Sequence, residues 1–232
     1  MSHECKLAFF VTSTACYGAI ETPGGCITDM HTLGTDSQSV ALVPFLQRLI
    51  AKAGNPTPTA LIAPKGPGSF TNLRVTLATA QGLSIALPTA VCYAPTFFDI
   101  LLYAMPNQSY AVIDSKRGDY FVKIKENTAH IASFETEILQ KSLQVDTLTS
   151  PAVESDALIL SPEAFLDFQN IHNQWQMIVE PDLFNDRVPH TSYDPIKLLD
   201  GLLAADSYMY PCAFEPYYLF DPTFKKSTKP LF

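Results

Sequence analysis

Positive charge is scarce in this chain: 15 Lys and Arg stand against 23 Asp and Glu in 232 residues, giving a net charge of −8. Phosphate backbones are gripped by clustered Lys and Arg, so a broad nucleic-acid groove is excluded. The five cysteines, Cys5, Cys16, Cys26, Cys92 and Cys212, are odd in number and never form a Cys-x-x-Cys pair. They signal neither a zinc site nor a disulfide framework and read as cytosolic thiols. His3, His31, His130, His172 and His190 are never three or four residues apart, which removes the helical metal pair of a metallopeptidase. The chain also lacks the roughly 20 consecutive apolar residues of a membrane span. Its first residues, Met-Ser-His-Glu-Cys-Lys, have no secretory pattern, so a cytoplasmic protein is expected.

Charge is missing most conspicuously between positions 66 and 98, where Arg74 is the only ionised side chain. That stretch opens with Gly66-Pro67-Gly68-Ser69-Phe70-Thr71. Two glycines and a proline require a tight turn, and Ser69 or Thr71 is placed to cap a following helix. Such a turn serves either as a phosphate cradle at a helix N-terminus or as a close-packing joint between strand and helix. It is not a P-loop, because no Lys-Ser or Lys-Thr pair ends it, and it does not fit GxGxxG. The helix it starts, ending near Leu87, has one stripe at Leu73, Leu77, Ala80, Ser84 and Leu87 and a second at Val75, Ala78, Gly82 and Ile85. One stripe is expected on the sheet. The other is either covered internally or free to receive a partner helix.

Short alternating runs predict strands at 6–11, 16–21 and 26–32, the last two joined at Pro23-Gly24-Gly25. Leu42, Phe45, Leu46, Leu49, Ile50 and Ala53 give the helical spacing of a buried stripe over 39–53, stopped by Gly54. A strand at 59–63, the motif helix, a strand at 89–93 and a helix at 96–105 complete a βββαβαβα order. This order predicts a mixed sheet flanked by helices. Pro106-Asn107 marks a boundary, after which 110–114 and 119–125 read as a hairpin. Weaker signals give strands at 157–160 and 175–179, a helix near 162–168 and a last helix starting at Asp194 or Pro195. The expected organisation is a first lobe over 1–106 with helix 194–207 packing back on it, a smaller lobe over 107–193, and a Pro- and aromatic-rich tail over 208–232.

The run Leu61-Ile62-Ala63-Pro64-Lys65-Gly66-Pro67-Gly68-Ser69-Phe70-Thr71-Asn72-Leu73-Arg74-Val75, continuing to Ala80-Gln81-Gly82-Leu83, resembles the GPGSFTGLR signature of the TsaB (YeaZ) family. Three further segments are similar to that family and occur in its order. They are Val11-Thr12-Ser13-Thr14, Val112-Ile113-Asp114-Ser115-Lys116-Arg117 and Glu215-Pro216-Tyr217-Tyr218-Leu219. The resemblance implies a two-lobed actin-like, sugar-kinase-like (ribonuclease H-like) fold. It also implies a role without catalysis. TsaB binds and stabilises the catalytic paralogue TsaD in the bacterial complex that installs threonylcarbamoyl on adenosine 37 of tRNAs reading ANN codons, and the ATPase TsaE joins them. On this basis Leu42, Phe45, Leu46, Leu49, Leu73, Leu77, Ala78, Ala80, Gln81 and Ile85 are the expected partner interface, which can also pair two copies of the chain. Gly66, Pro67, Gly68, Ser69, Phe70, Thr71 and Arg74 form the motif loop. No catalytic residue, metal or cofactor is expected, ADP or ATP at the partner interface is left open, and tRNA is met only indirectly.

Two departures bear on chemistry. Val11 stands where the family has Asp, and valine offers no oxygen to a magnesium–nucleotide complex. Asn72 replaces the motif's last Gly and, as a residue tolerant of left-handed φ, is expected to preserve the turn. The closing segment also departs, with Phe220 where the family ends in Arg. Ser69 is the one tempting nucleophile, but it lies outside a GxSxG elbow with no His or Asp nearby in sequence. An actin-fold kinase or ATPase using Asp114 is the rival from a different class. It needs the strand-one carboxylate that Val11 replaces, and Asp114 is equally suited to bracing a hairpin turn with Arg117.

Overall fold

A computed structural model describes residues 5–104, 110–114, 120–124, 157–160, 177–179 and 195–216. Strand β1 (Lys6–Val11) is the middle of a five-stranded sheet with order β3-β2-β1-β4-β5, where β2 is Ala15–Thr22, β3 Gly25–Thr32, β4 Ala60–Ile62 and β5 Val91–Tyr93. β1 to β3 meander antiparallel, whereas β4 and β5 run parallel to β1. This mixture follows from the connections: short turns join the first three strands, and helices carry the chain to the others.

Side chains alternate across β1. Leu7, Phe9 and Val11 enter a core with helices α1 (Gln38–Lys52) and α2 (Phe70–Ala86), while Ala8 and Phe10 enter a second core with α3 (Phe97–Ala104) and α4 (Pro195–Leu203). Phe10 stacks on Tyr17 with ring centroids 4.9 Å apart and meets Phe97 edge-on at 6.0 Å. Gly18 of β2 makes room for α1, because a Cβ there would lie 2.9 Å from Leu49 Cδ2 and 3.0 Å from Phe45 Cε1.

A second sheet has the order β8-β7-β6-β9, with β6 at Tyr110–Asp114, β7 at Tyr120–Ile124, β8 at Ala157–Leu160 and β9 at Met177–Val179. β7 is antiparallel to both β6 and β8, and β9 is parallel to β6. This repeats the pairing of β1 to β4. The duplication was invisible as a sequence repeat because strand pairing fixes side-chain periodicity, not residue identity. Ala111, Val112, Ile113, Phe121 and Val122 share their core with α3 and α4. At the start of α3, Thr96 and Asp99 form a reciprocal cap: Thr96 Oγ1 donates to Asp99 Oδ2 at 2.6 Å, and the Asp99 N–H donates to Thr96 Oγ1 at 3.1 Å. Lys123 of β7 donates to Asp99 Oδ1 at 3.1 Å, joining the second sheet to the same cap. The expected turn over 115–118 and helix over 162–168 lie outside the described residues.

Helix α4 returns to the first sheet and packs on β1, β2 and α3. Lys6 fastens that return: its Nζ donates to the Leu203 carbonyl at 3.1 Å, to Asp206 Oδ1 in the short helix α5 (Ala205–Tyr208) at 2.9 Å, and meets Glu21 at 3.3 Å. Burial alone would lower the Lys6 pKa, but the Asp206 hydrogen bond and charge, helped by Glu21, outweigh it and hold the pKa above its ordinary value of 10.5. The ammonium is therefore favoured by folding. Its stabilisation is complete below about pH 10.5 and is lost as pH rises through the higher folded pKa. We expect Lys6→Met to lower stability at neutral pH by about 1.5–3 kcal/mol. Denaturant titrations should show the gap between wild type and variant closing in strong alkali, and a gap independent of pH would refute the linkage.

Candidate functional site

The motif loop lies between β4 and α2. Gly66 has φ 116°, a left-handed-side value that favours glycine, and the Gly66–Pro67 peptide is cis. Gly66 and Pro67 are buried, whereas Gly68, Ser69 and Thr71 are exposed. The loop is tied across to the start of α3: the Phe97 N–H donates to the Gly66 carbonyl at 2.8 Å and the Lys65 N–H to the Pro95 carbonyl at 2.9 Å. These bonds make the turn a joint between helices on opposite sides of the sheet, the close-packing use of its glycines. Ser69 occupies the N-cap position of α2, but its hydroxyl makes no cap hydrogen bond, and only its carbonyl takes part, accepting from the Leu73 N–H at 2.9 Å. The expected side-chain cap is thus corrected. Arg74 lies 3.7 Å above the Phe70 ring centroid, so the lone charge of the uncharged stretch is held against its own helix.

Asn72 is not in a left-handed turn. Because α2 already begins at Phe70, Asn72 is helical, buried, and accepts a hydrogen bond from Gln38 Nε2 of α1 at 3.2 Å. The departure from glycine therefore clips α1 to α2. Val11 is buried at the end of β1, and its N–H donates to Thr76 Oγ1 of α2 at 3.3 Å. An apolar side chain and a helix fill the position where a strand-one carboxylate was considered. Next to it, Thr12 Oγ1 accepts from the Ala15 N–H at 3.0 Å, so this hydroxyl shapes the β1–β2 turn. Asp114 ends β6 as Val11 ends β1, and its side chain, like Arg117, lies outside the described residues.

The ten expected interface residues separate into two groups. Leu42, Phe45, Leu46, Leu49, Leu73, Leu77 and Ala80 are buried in the core between the helices and the sheet. They hold the helices onto their own sheet and are not available to a partner, which corrects their assignment to an interface. Ala78, Gln81 and Ile85 are exposed, Ile85 to 81%. With Gly82 they form the outward face of α2, and the outward side of α1 adds Val40, 64% exposed, and Val43. The two stripes read along α2 therefore fall on opposite sides of the helix.

Other chemistry finds little support among the described residues. No cluster of three His, Cys, Asp or Glu could hold a metal, and His31 stacks on Phe45 with centroids 6.4 Å apart. Burial pushes the Cys16 thiol up to about 11, only partly offset by Arg48, so it is a poor nucleophile. No helix is long and apolar enough to cross a membrane among these residues.

The sequence reading missed the segment after α5. Phe214 is buried under the α1–α2 side of the sheet, its carbonyl accepts from Gln81 Nε2 at 2.7 Å, and the Cys212 N–H donates to the Cys92 carbonyl at 2.9 Å. The available signal was an apolar residue at every second position, Cys212 and Phe214, within the tail.

No protein-family model matches the sequence, and no curated protein matches it. Among solved structures, YeaZ from Pseudomonas aeruginosa is similar at 16% identity and a TM-score of 0.58, covering 94% of this chain and 100% of its own. A second structure is described as an uncharacterized protein with similarity to peptidase YeaZ from Pseudomonas aeruginosa. It matches at 18% identity and a TM-score of 0.59, over 95% of this chain and 100% of its own. The fold is therefore shared with YeaZ over nearly the whole length, and the mixed sheet flanked by helices is the arrangement expected from the order of elements.

Asn72→Ala leaves Gln38 without its acceptor and is expected to cost about 0.5–1.5 kcal/mol. The same loss should appear in Gln38→Ala and grow little in the double variant. Additive losses in a denaturation cycle would show that the clip carries no coupling.

Proposed function

We propose that this chain is a divergent member of the TsaB (YeaZ) family. In this reading it is a non-catalytic cytoplasmic subunit that binds and stabilises a TsaD-like catalytic partner in the threonylcarbamoylation of adenosine 37 of ANN-decoding tRNAs. A TsaE-like ATPase joins the same complex. The observation that carries the reading is the outward face of the motif helix. Ala78, Gly82 and Ile85 are exposed on a helix without acidic residues, and Val40 and Val43 are exposed on α1. Small side chains permit close helix approach, and an exposed apolar patch of this kind marks an interaction surface. The motif run at the start of that helix, with the whole-length likeness of fold, supports the choice of family. Acidic net charge is consistent with leaving the tRNA grip to the partner.

A subunit without catalysis agrees with Val11 at the end of β1, whose side chain offers no carboxylate to a magnesium ion. The same face can pair two copies of the chain when the partner is absent.

The test uses the full chain with a TsaD homologue from the same cell. Ala78→Arg and Ile85→Glu, both on the exposed face, should leave thermal unfolding unchanged and weaken the complex by about 30-fold or more in calorimetry. Wild-type affinity in both would refute the docking face. Steady ATP hydrolysis by the purified chain that disappears in Asp114→Ala would replace the subunit reading with the kinase or ATPase one.

A further inference from the structure

Strand β5 lies at the edge of the first sheet, and its backbone faces two ways. The Val91 N–H donates to the Thr59 carbonyl and the Tyr93 carbonyl accepts from the Ala63 N–H, so these two residues bond toward β4. In a parallel pair alternate residues bond to one neighbour, which leaves the peptide groups of Cys92 pointing outward. There the Cys212 N–H donates to the Cys92 carbonyl at 2.9 Å, seating the strap over residues 209–216 on the sheet edge.

Side chains on both chains alternate in phase. Val91 and Tyr93 face the α3–α4 core, and Cys92 faces the α1–α2 core. On the strap, Cys212 and Phe214 turn inward to that same α1–α2 core, while Pro211, Ala213 and Glu215 are exposed. Two half-buried free thiols therefore project to one side from adjacent, hydrogen-bonded chains. The 2.9 Å bond from the Cys212 N–H to the Cys92 carbonyl and standard backbone dimensions keep the two Cα atoms within about 6.8 Å, the upper limit of the window of about 4.4–6.8 Å that a disulfide spans.

We propose that Cys92 and Cys212 are a redox site, closed to a disulfide by a peroxide and reopened by a dithiol, which locks the strap to the sheet edge. The Cys212 thiolate attacks one oxygen of hydrogen peroxide, the O–O bond breaks, and the displaced hydroxide takes up the thiol proton as water, leaving a sulfenic acid. Cys92 then attacks that sulfur, the S–O bond breaks, and a second water departs with the Cys92 proton. Two thiols lose two electrons and one peroxide becomes two waters. Burial and the neighbouring Cys212 raise the Cys92 thiol above its ordinary range, which slows its own reaction with peroxide and leaves the first step to Cys212. Closing the bridge also fixes the Phe214 carbonyl that holds Gln81 on the outward side of α2. The inference rests on the strap and stands whether or not that side of α2 binds a partner.

The experiment treats the full chain carrying Cys26→Ser, which removes the exposed thiol, with hydrogen peroxide, followed by alkylation, digestion and mass spectrometry. The expected product is a peptide pair joined through Cys92 and Cys212 that dithiothreitol separates. Amide exchange over 209–216 should slow by about tenfold or more on oxidation, and this slowing should be absent in Cys212→Ser. Oxidation to sulfinic acid without the joined peptide, linkage only between chains, or equal slowing in Cys212→Ser would each overturn the proposal.

Discussion

All five side chains from Leu7 to Val11 are buried, and they leave β1 on alternate sides. A strand of this kind cannot rest at a surface: leaving either side wet would expose Phe9 or Phe10, each contributing roughly 1.5–3 kcal/mol when fully covered. Helices must therefore cover both sides. The chain supplies α1 and α2 on one side from the segments that follow the meander, and α3 and α4 on the other, with α4 drawn from far along the sequence. The position of the motif loop follows from the same requirement, because it carries the chain from β4 into α2 and is stitched to the first residues of α3 on the other side.

This construction explains which parts could be read from the residues. The strands of the meander and helices α1 to α3 were legible because alternation and helical spacing are local properties, and each of these has an observed counterpart within a few residues of its expected place. The two stripes of α2 were legible as well. The role of the α1 stripe was not, because Leu42, Phe45 and Leu49 have the same chemistry whether they cover their own sheet or a partner. Only closure of the sheet against α1, allowed by the bare backbone at Gly18, decides it. Asn72 was noticed as a departure and misjudged in conformation, since the first residue of a helix is the least legible part of it. The attachments of Lys6 to Leu203 and of Gln81 to Phe214 join residues too distant in sequence to leave a local signature.

The doubled sheet topology gives Val11 and Asp114 equivalent places at the ends of β1 and β6, yet their chemistry is opposite. In the first lobe the end of the strand is sealed by apolar packing and by Thr76 from α2. Its features of interest have moved outward, to the exposed side of α2, where the lack of acidic residues removes a desolvation penalty that any tight association would otherwise meet. In the proposed function, stability and recognition use opposite sides of one helix, with Gln81 the residue of the outward side that also holds the chain at Phe214.

The return of α4 to β1 also sets an order of events during synthesis. Residues 6–104 contain every strand of the first sheet, but Phe10, Tyr17 and their neighbours have no complete cover until α4, at Pro195–Leu203, has emerged from the ribosome. Until then an incompletely covered sheet waits in the nascent chain. Contacts of such long range slow folding and prolong exposure of apolar surface, so this is the stage at which a nascent-chain chaperone has most to protect.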